Sequence, residues 1–349
     1  MKRMLLISGD RANITKLAFD PEKKELSVVS NYSAPPNVSW IEPSLSNRDV
    51  DRLIGISERS ESGLLYTFEI DHTQETCKIT SQQPTLGAPA HCISGLALST
   101  KFPYKSAGHG PDEGRQCQCH PHQILEDRRG LLYVPDLGAD RVWILCRDQM
   151  KLEVSGWLQC SPGTGTRHAV ITPDGKTMYV IGELSHTVVA FELSASPAEN
   201  IQPIEGFSPN VIPLSVHPDH QSMMDSSEIC LHPNIPTVLY VTNRWERHIA
   251  EREPHLKNVS QELQPGDAIA IILLSNDGRK VQEIKFIRTN LDTIRGMRVS
   301  DDDYYVVVVG QEGSGVEIYD IGGERGDVWV LVASLNEGLE SGIKHAVWL

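Results

Sequence analysis

Two consecutive passages of the chain follow one plan, and this repetition restricts the possible folds more than any other feature. Each passage has a strand that opens on a basic side chain, a turn, a second strand that ends in an acidic residue, another turn and a third strand. The first passage spans residues 122–145 and the second spans residues 167–191. Short β-branched and aromatic runs separated by Gly, Pro and Asp are typical of strands joined by turns. The pattern predicts an all-β chain built from repeated small sheets.

Groups of strand-like runs recur along the whole chain, usually four to a group. The first runs of successive groups begin near residues 39, 92, 122, 167, 228, 295 and 345. Most of these intervals are close to the ~40–50 residues that make one propeller blade. Residues 4–8 start a group that lacks an opening run, and His345–Leu349 is an opening run without a group. We therefore expect residues 1–349 to form a single domain, a seven-bladed β-propeller. The C-terminal strand would close it by pairing beside residues 4–8, which removes the open sheet edges.

One interval is too short for a complete blade. Only 30 residues separate Cys92 from His122, and one strand, Ile93–Leu98, can be recognised between them. The rest of that interval has no strand pattern, so we expect the third blade to be truncated. The alternative is a different fold for the N-terminal third of the chain.

Composition excludes several kinds of partner. The net charge of −14 argues against nucleic acid or an anionic membrane surface as the main partner. No apolar run approaches the ~18 residues that span a bilayer, and the short apolar run at residues 4–7 does not resemble a secretory signal. Seven cysteines without regular spacing suit reduced thiols. We expect a cytoplasmic protein, and the sequence makes no prediction of its oligomeric state.

Charged residues recur at equivalent positions of the repeated groups. In a propeller the opening strand of each blade lines the central channel, so such residues converge in space. Buried charges cost several kcal/mol unless they are paired or used. The pattern therefore indicates either a functional site at one mouth of the channel or a belt of salt bridges. The opening runs hold His122, Arg167, His168, Glu228, Arg295 and His345, and the ends of the second runs hold Asp136, Glu183, Arg244 and Gln311.

Two other patterns have simpler interpretations. The ligands in Cys117–His122, which reads CQCHPH, are packed more tightly than the Cys pairs of structural zinc sites, and no second pair is evident. We therefore expect no metal there. Asp136 and Asp140, in the segment DLGAD, are predicted to bond backbone amides at turns rather than to act in catalysis.

An ordered series of motifs resembles one known family. HPH precedes YVPDLGADRV, and PGTGTRHAVITPDG, YVIGELSHTV, LYVTNR and GVEIYDI follow in order. The series is similar to the lactonase family of seven-bladed β-propellers, which includes bacterial 6-phosphogluconolactonases and the fungal carboxy-cis,cis-muconate lactonizing enzyme. The similarity covers nearly the whole chain and is strongest from Gly108 to Leu193. The segment His109–Gln116, HGPDEGRQ, also resembles a lead-in found in fungal members.

The resemblance implies a channel-mouth site that needs no metal or organic cofactor and takes a small anionic lactone or carboxylate. The family's His–Glu–Arg–Arg constellation falls on His122, Glu183, Arg167 and Arg244. Lactone hydrolysis needs a base to activate water, which His122 or Glu183 could supply. It also needs a donor for the oxyanion and clamps for the substrate's anionic group, which guanidinium groups provide. Further substrate-binding candidates are His168, Glu228, Arg295 and Gln311, although Arg295 could pair with Glu228 instead.

The same side chains support more than one function. We favour hydrolysis of a sugar-type lactone, as in 6-phosphogluconolactonases, because the Gly163–Leu193 region is closer to that pattern. The alternatives are a cyclase that closes carboxymuconate to its lactone and a non-catalytic binding scaffold, since fold does not decide function. One departure is Thr166, where the family usually has Pro before the Arg, and this change predicts a looser approach to Arg167. We expect His122→Ala and Glu183→Gln each to abolish turnover while the fold survives.

Overall fold

Most of the strands that the sequence pattern predicts are present in the described part of the chain. The computed structural model describes residues 2–46, 50–58, 63–85, 89–93, 102–103, 112–148, 151–193, 196–249, 264–313 and 315–349. Within these residues are 23 strands, numbered β1 to β23, in six antiparallel sheets, together with two short 3₁₀ helices, Pro218–Met223 and Glu246–His248. In the same residues, no helix is long and apolar enough to cross a membrane.

The chain divides into two compact units. The first comprises Met1–Gly95, Leu291–Gly322 and Val328–Leu349, and it holds three four-stranded sheets. One sheet has the order β23 (Ile343–Trp348), β1 (Arg3–Gly9), β2 (Asn13–Asp20) and β3 (Glu25–Ser33). The second runs through β4 (Val38–Ser46), β5 (Val50–Ser57), β6 (Leu64–Asp71) and β7 (Thr76–Pro84). The third runs through β19 (Asp292–Val299), β20 (Tyr305–Glu312), β21 (Gly315–Gly322) and β22 (Val328–Leu335).

The second unit comprises Leu96–Asn290 and Gly323–Asp327. Its first sheet has β8 (Leu125–Glu126), β9 (Leu132–Asp136), β10 (Arg141–Asp148) and β11 (Lys151–Gln159) in sequence order. Its second sheet has three strands, β12 (Thr166–Ile171), β13 (Thr177–Gly182) and β14 (Val188–Glu192). Its third sheet has β15 (Asp225–Leu231), β16 (Val238–Arg244), β17 (Ala268–Leu274) and β18 (Val281–Arg288).

The last strand of the chain completes the first sheet, as predicted. β23 pairs antiparallel with β1, and Leu5 lies opposite Trp348 while Ser8 lies opposite His345. The C-terminal residues therefore supply the opening strand that the first group of the sequence lacks.

The opening strands share an irregularity that the sequence does not reveal. The pairing register shifts by one residue near the start of each opening strand that is long enough to show it. In β12 the shift lies between Thr166 and His168, and in β19 it lies between Ile294 and Gly296. Such β-bulges leave one residue outside the ladder and change the direction of its side chain. The bulged residues of these two strands are Arg167 and Arg295, two of the predicted site residues.

Apolar packing between strands forms the core of each unit. In the second unit, all seven residues of β17 are buried, as expected for a short continuous apolar run. This strand packs with β13, β14 and β16 in one cluster of buried side chains that includes Tyr179, Phe207 and Val241. Each fully buried large apolar side chain contributes about 1.5–3 kcal/mol, so this packing stabilises the strands that carry the candidate site.

Two predictions of strand position differ from the structure or lie outside it. We predicted an opening strand at His122–Leu125, but β8 contains only Leu125–Glu126. Pro121 has no N–H to donate, so the backbone there makes an isolated bridge to Asp136 and one hydrogen bond from His122 N to Pro135 O at 2.9 Å. The predicted strand at Ile93–Leu98 lies almost entirely outside the described residues.

Candidate functional site

A fully buried glutamate lies at the centre of the candidate site. Glu183, just after β13, has a side chain that is 0% exposed and is contacted by three guanidinium groups. Its Oε1 accepts hydrogen bonds from Arg115 and from Arg244, each at 2.5 Å, and its Oε2 lies 2.8 Å from Nε of Arg167. Asp225, on β15, adds a second carboxylate 3.5 Å from Arg115 and 3.7 Å from Arg244. We call these five residues the arginine cluster.

Local backbone structure explains how the arginine cluster forms. Glu183 N donates to Gly165 O at 2.8 Å, which fixes the turn after β13 against the start of β12. Gly165 has φ +62°, and a Cβ there would lie 2.5 Å from the side chain of Leu184, so a glycine is required. Arg167 is the bulged residue of β12, while Arg244 ends β16 directly opposite Asp225. The cluster thus depends on a tight turn, a bulge and a strand end.

Burial and charge act in opposite directions on the groups of the arginine cluster. Burial raises the pKa of the Glu183 carboxyl, but the guanidinium groups of Arg244, Arg167 and Arg115 outweigh it and hold that pKa well below its usual range. Burial lowers the pKa of Arg167 despite the neighbouring carboxylates. For Arg115 burial also acts to lower the pKa, but the carboxylates of Glu183 and Asp225 raise it overall. Glu183 is therefore ionised at neutral pH and is a poor proton acceptor.

Two histidines and a glutamate form a chain of hydrogen bonds beside the arginine cluster. His168 is buried, with Nδ1 2.8 Å from Oε2 of Glu228 and Nε2 3.1 Å from Nδ1 of His122. Burial lowers the pKa of His168, although Glu228 acts in the opposite direction. A neutral His168 that donates from Nδ1 to the carboxylate must accept from His122 at Nε2. This arrangement fixes the His122 tautomer with its proton on Nδ1. We call these three residues the histidine relay.

Arg167 joins the histidine relay to the arginine cluster. Its Nη1 donates to the carbonyl oxygen of Ser227 and lies 3.5 Å from Oε1 of Glu228, while its Nε faces Glu183. Glu228 is held in turn by a backbone hydrogen bond, from its N–H to Oγ1 of Thr242 at 2.9 Å. The candidate site is therefore one continuous polar network within the second unit.

Asp136 and Asp140 hold backbone, as the sequence predicted. Asp136 is fully buried, and its Oδ1 accepts hydrogen bonds from three backbone N–H groups, of which that of His120 is the shortest at 2.7 Å. Its Oδ2 accepts from the indole of Trp143 at 2.9 Å. Asp140 accepts from Gly163 N at 2.9 Å and Gly165 N at 2.6 Å, while burial raises its pKa. The predicted hydrogen bonds from backbone amides to both aspartates are confirmed.

Thr166 ties the strand that carries Arg167 to its neighbour. Its Oγ1 accepts from Asp136 N at 3.1 Å and lies 2.9 Å and 2.8 Å from the carbonyl oxygens of Asp136 and Arg141. The side chain is fully buried. The hydroxyl makes hydrogen bonds that Pro could not make, and the expectation that loss of Pro loosens the approach to Arg167 stays a prediction.

The structure brings six of the eight predicted site residues into one network. These six are His122, Arg167, His168, Glu183, Glu228 and Arg244. Arg295 and Gln311 lie on β19 and β20, in the other unit, so their role in substrate binding stays a prediction. Sequence reasoning did not include Arg115 and Asp225. Arg115 could have been found from the HGPDEGRQ segment, and Asp225 from its position opposite Arg244 once the strands were paired.

The described residues include no group of three or more His, Cys, Asp or Glu side chains arranged to hold a metal ion. All seven cysteines are free of disulfides. Burial raises the pKa of the Cys119 thiol to about 12.

Comparison with known proteins identifies the family. Residues 94–339 match the sequence profile of the family described as "Lactonase, 7-bladed beta-propeller". A 6-phosphogluconolactonase of Bacillus subtilis (strain 168) is 32% identical over 219 residues, which cover 55% of this chain and 61% of that protein. An uncharacterized protein of Lactococcus lactis is 21% identical over 91% of this chain and 92% of its own length.

A solved structure shows the same fold. The Pseudomonas aeruginosa periplasmic gluconolactonase matches all of this chain and 99% of its own with a TM-score of 0.76, at 15% identity. Because the family match covers more than half of the chain, this protein belongs to the lactonase family of propellers. The predictions of that family and of an all-β propeller are confirmed.

Proposed function

We propose that this protein hydrolyses a small anionic sugar-type lactone, in the manner of a 6-phosphogluconolactonase. The observation that carries the proposal is the continuous network in which the histidine relay meets the arginine cluster at Arg167. Side chains of this network can supply a base, an oxyanion donor and an anion clamp, so the proposed reaction needs no metal or organic cofactor. The membership of the family supports the class of reaction.

His122 is the proposed base. In the tautomer that the relay favours, its Nε2 carries the lone pair, and the side chain is only partly buried. Nε2 takes a proton from water as the water oxygen bonds to the lactone carbonyl carbon. The tetrahedral intermediate then collapses, the bond to the ring oxygen breaks, and that oxygen takes the proton from His122. The product hydroxy acid ionises, so each turnover consumes one water and releases one proton.

Guanidinium groups stabilise the charge that develops on the carbonyl oxygen. Arg167 and Arg244 are held in place by Glu183, so they need little reorganisation when the oxyanion forms. The low pKa of Glu183 makes it unsuitable as the base that sequence reasoning also considered. We assign it instead to holding the arginines in position.

The muconate cyclase remains the second candidate. Three guanidinium groups around one centre would suit a substrate with several carboxylates. In that reaction the substrate's own carboxylate would attack, and His122 would move the proton. A non-catalytic scaffold is less well supported, because the relay fixes a histidine tautomer in a way that binding alone does not require.

Two further expectations, on the number of blades and on the cellular location, are part of this proposal. The family is seven-bladed, while the described residues form six sheets, so a seven-bladed ring with a short third blade stays a proposal. A cytoplasmic location likewise stays a proposal, supported by the seven cysteines without disulfides.

Turnover by the purified protein tests the function. 6-Phosphogluconolactone would be followed by release of acid, and 3-carboxy-cis,cis-muconate by loss of ultraviolet absorbance. We expect hydrolysis of the lactone, and we expect His122→Ala to lower kcat by about 10²–10⁴-fold, the usual contribution of a general base. Turnover of the muconate alone would favour the cyclase. A folded protein that turns over neither compound nor any other sugar lactone would contradict the proposal.

A further inference from the structure

We infer that Arg115 binds the permanent anionic group of the substrate, its phosphate or carboxylate. This assignment rests on the proposed function and goes beyond it, because it names the residue that selects charged lactones over neutral ones. Arg115 lies in the HGPDEGRQ segment but is not among the site residues predicted from the sequence.

Exposure separates the three guanidinium groups of the arginine cluster. The side chains of Arg167 and Arg244 are 3% and 4% exposed, whereas that of Arg115 is 31% exposed. Arg167 is also committed to Ser227 and Glu228. Of the three, Arg115 is therefore the group that an anion arriving from solvent can reach at the lowest desolvation cost.

Arg115 retains donors for a ligand. A guanidinium group carries five N–H bonds in a planar fork. Among the described residues, the Arg115 side chain makes one hydrogen bond, from Nη2 to Glu183 at 2.5 Å. Its Nη1 is 3.5 Å from Asp225, an ion pair longer than a good charge-assisted hydrogen bond. A phosphate or carboxylate that binds at ~2.8 Å would compete well with that contact.

The backbone around Arg115 is fixed, which reduces the entropy cost of binding. Arg115 N donates to the side chain of Asp112 at 3.0 Å. The next residue, Gln116, is buried, and its Nε2 donates to Leu137 O and to Oδ1 of Asp140, both at 3.0 Å. Asp140 in turn holds the turn before β12. Asp140 therefore holds both the segment that carries Arg115 and the turn that precedes Arg167.

Asp225 gives the inference a second, opposite test. Its carboxylate lies beside Arg115 and repels an incoming anion, so Asp225→Asn should strengthen anion binding where Arg115→Gln weakens it. Arg115→Lys should fall between wild type and Arg115→Gln, because Lys keeps the charge but loses the planar fork.

Calorimetry with 6-phosphogluconate measures anion binding without turnover. We expect Arg115→Gln to weaken binding about 10–100-fold, the usual effect of losing a hydrogen bond to a charged group, and Asp225→Asn to tighten it. Arg279→Gln is the matched control, since Arg279 also pairs with a glutamate, at 3.0 Å, but on the turn before β18. It should bind as wild type does.

Turnover of three lactones then separates the inference from the proposed function. For Arg115→Gln, kcat/KM should fall more for 6-phosphogluconolactone and for the carboxylated glucaro-1,4-lactone than for the neutral glucono-1,5-lactone. Equal losses on charged and neutral lactones would overturn the inference, as would binding of 6-phosphogluconate that is unchanged in both Arg115 variants. If 6-phosphogluconate binding depends on Arg115 but the protein hydrolyses none of the lactones, the inference on Arg115 is supported and the proposed hydrolysis is rejected.

Discussion

Replacing Glu183 by Gln should destabilise the fold, because it leaves three guanidinium groups close together without their shared counter-charge. The Glu183 side chain is completely buried, and its contacts with the arginines are 2.5, 2.5 and 2.8 Å long. Removing one partner of a buried ion pair typically costs about 3–5 kcal/mol. For chains of about 150–250 residues this corresponds to a fall in Tm of about 6–20 °C, and the lower part of that range applies to a chain of 349 residues.

A matched control separates burial from the loss of a carboxylate. Glu192 pairs with Arg279 at 3.0 Å, but the two side chains are 68% and 48% exposed. Exposed pairs contribute at most about 1 kcal/mol, so Glu192→Gln should melt within about 2 °C of wild type in the same thermal scan. If Glu183→Gln also melts that close to wild type, the interpretation of Glu183 as the electrostatic centre of the cluster is refuted.

The pH dependence of the Tm difference between wild type and Glu183→Gln follows from the low pKa of Glu183. A carboxyl whose pKa is depressed in the folded state stabilises the protein fully above its unfolded pKa, which is about 4.3 for Glu. That contribution is lost as the pH falls through the folded pKa. The Tm difference between wild type and Glu183→Gln should therefore be constant from pH 8 to pH 6 and narrow below about pH 4. A difference that widens in acid would contradict the assignment.

Three other substitutions test the structure around the site. His168→Gln should lower kcat on the lactone about 10²-fold and shift the pH–kcat profile. An unshifted profile would show that His168 serves only in packing. Gly165→Ala should cost more stability than Gly175→Ala, since both have positive φ but only at Gly165 would a Cβ clash with a leucine, at 2.5 Å; equal losses in urea denaturation would contradict this. Thr166→Val should lose about 1–3 kcal/mol in the same assay because a buried amide loses its acceptor, and a stable variant would show that the hydroxyl is dispensable.

Much of the fold could be predicted from sequence because it depends on local repetition. Short apolar runs at regular spacing predicted the strands, and the unmatched first and last runs predicted the pairing of β1 with β23. The prediction that Asp136 and Asp140 bond backbone amides also followed from local context, since both lie at a turn.

The details of the site could not be predicted, because they depend on contacts between distant segments. Arg115 comes from a turn with no counterpart in the repeat, and 68 positions separate it from Glu183. The role of Glu183 itself depends on three guanidinium groups whose approach no spacing reveals. Sequence identified the residue types but not which carboxylate faces arginines and which faces a histidine.

At the bulges of the opening strands, a residue can carry a functional side chain without taking part in the pairing of the sheet. A bulged residue such as Arg167 or Arg295 contributes no rung to the ladder of its sheet. Exchanging its side chain therefore removes no hydrogen bond between the backbones of paired strands and leaves the register of the strand unchanged. In a fold of repeated sheets, a new substrate preference can therefore arise one bulge at a time, without a change in the pairing of the strands that hold the site.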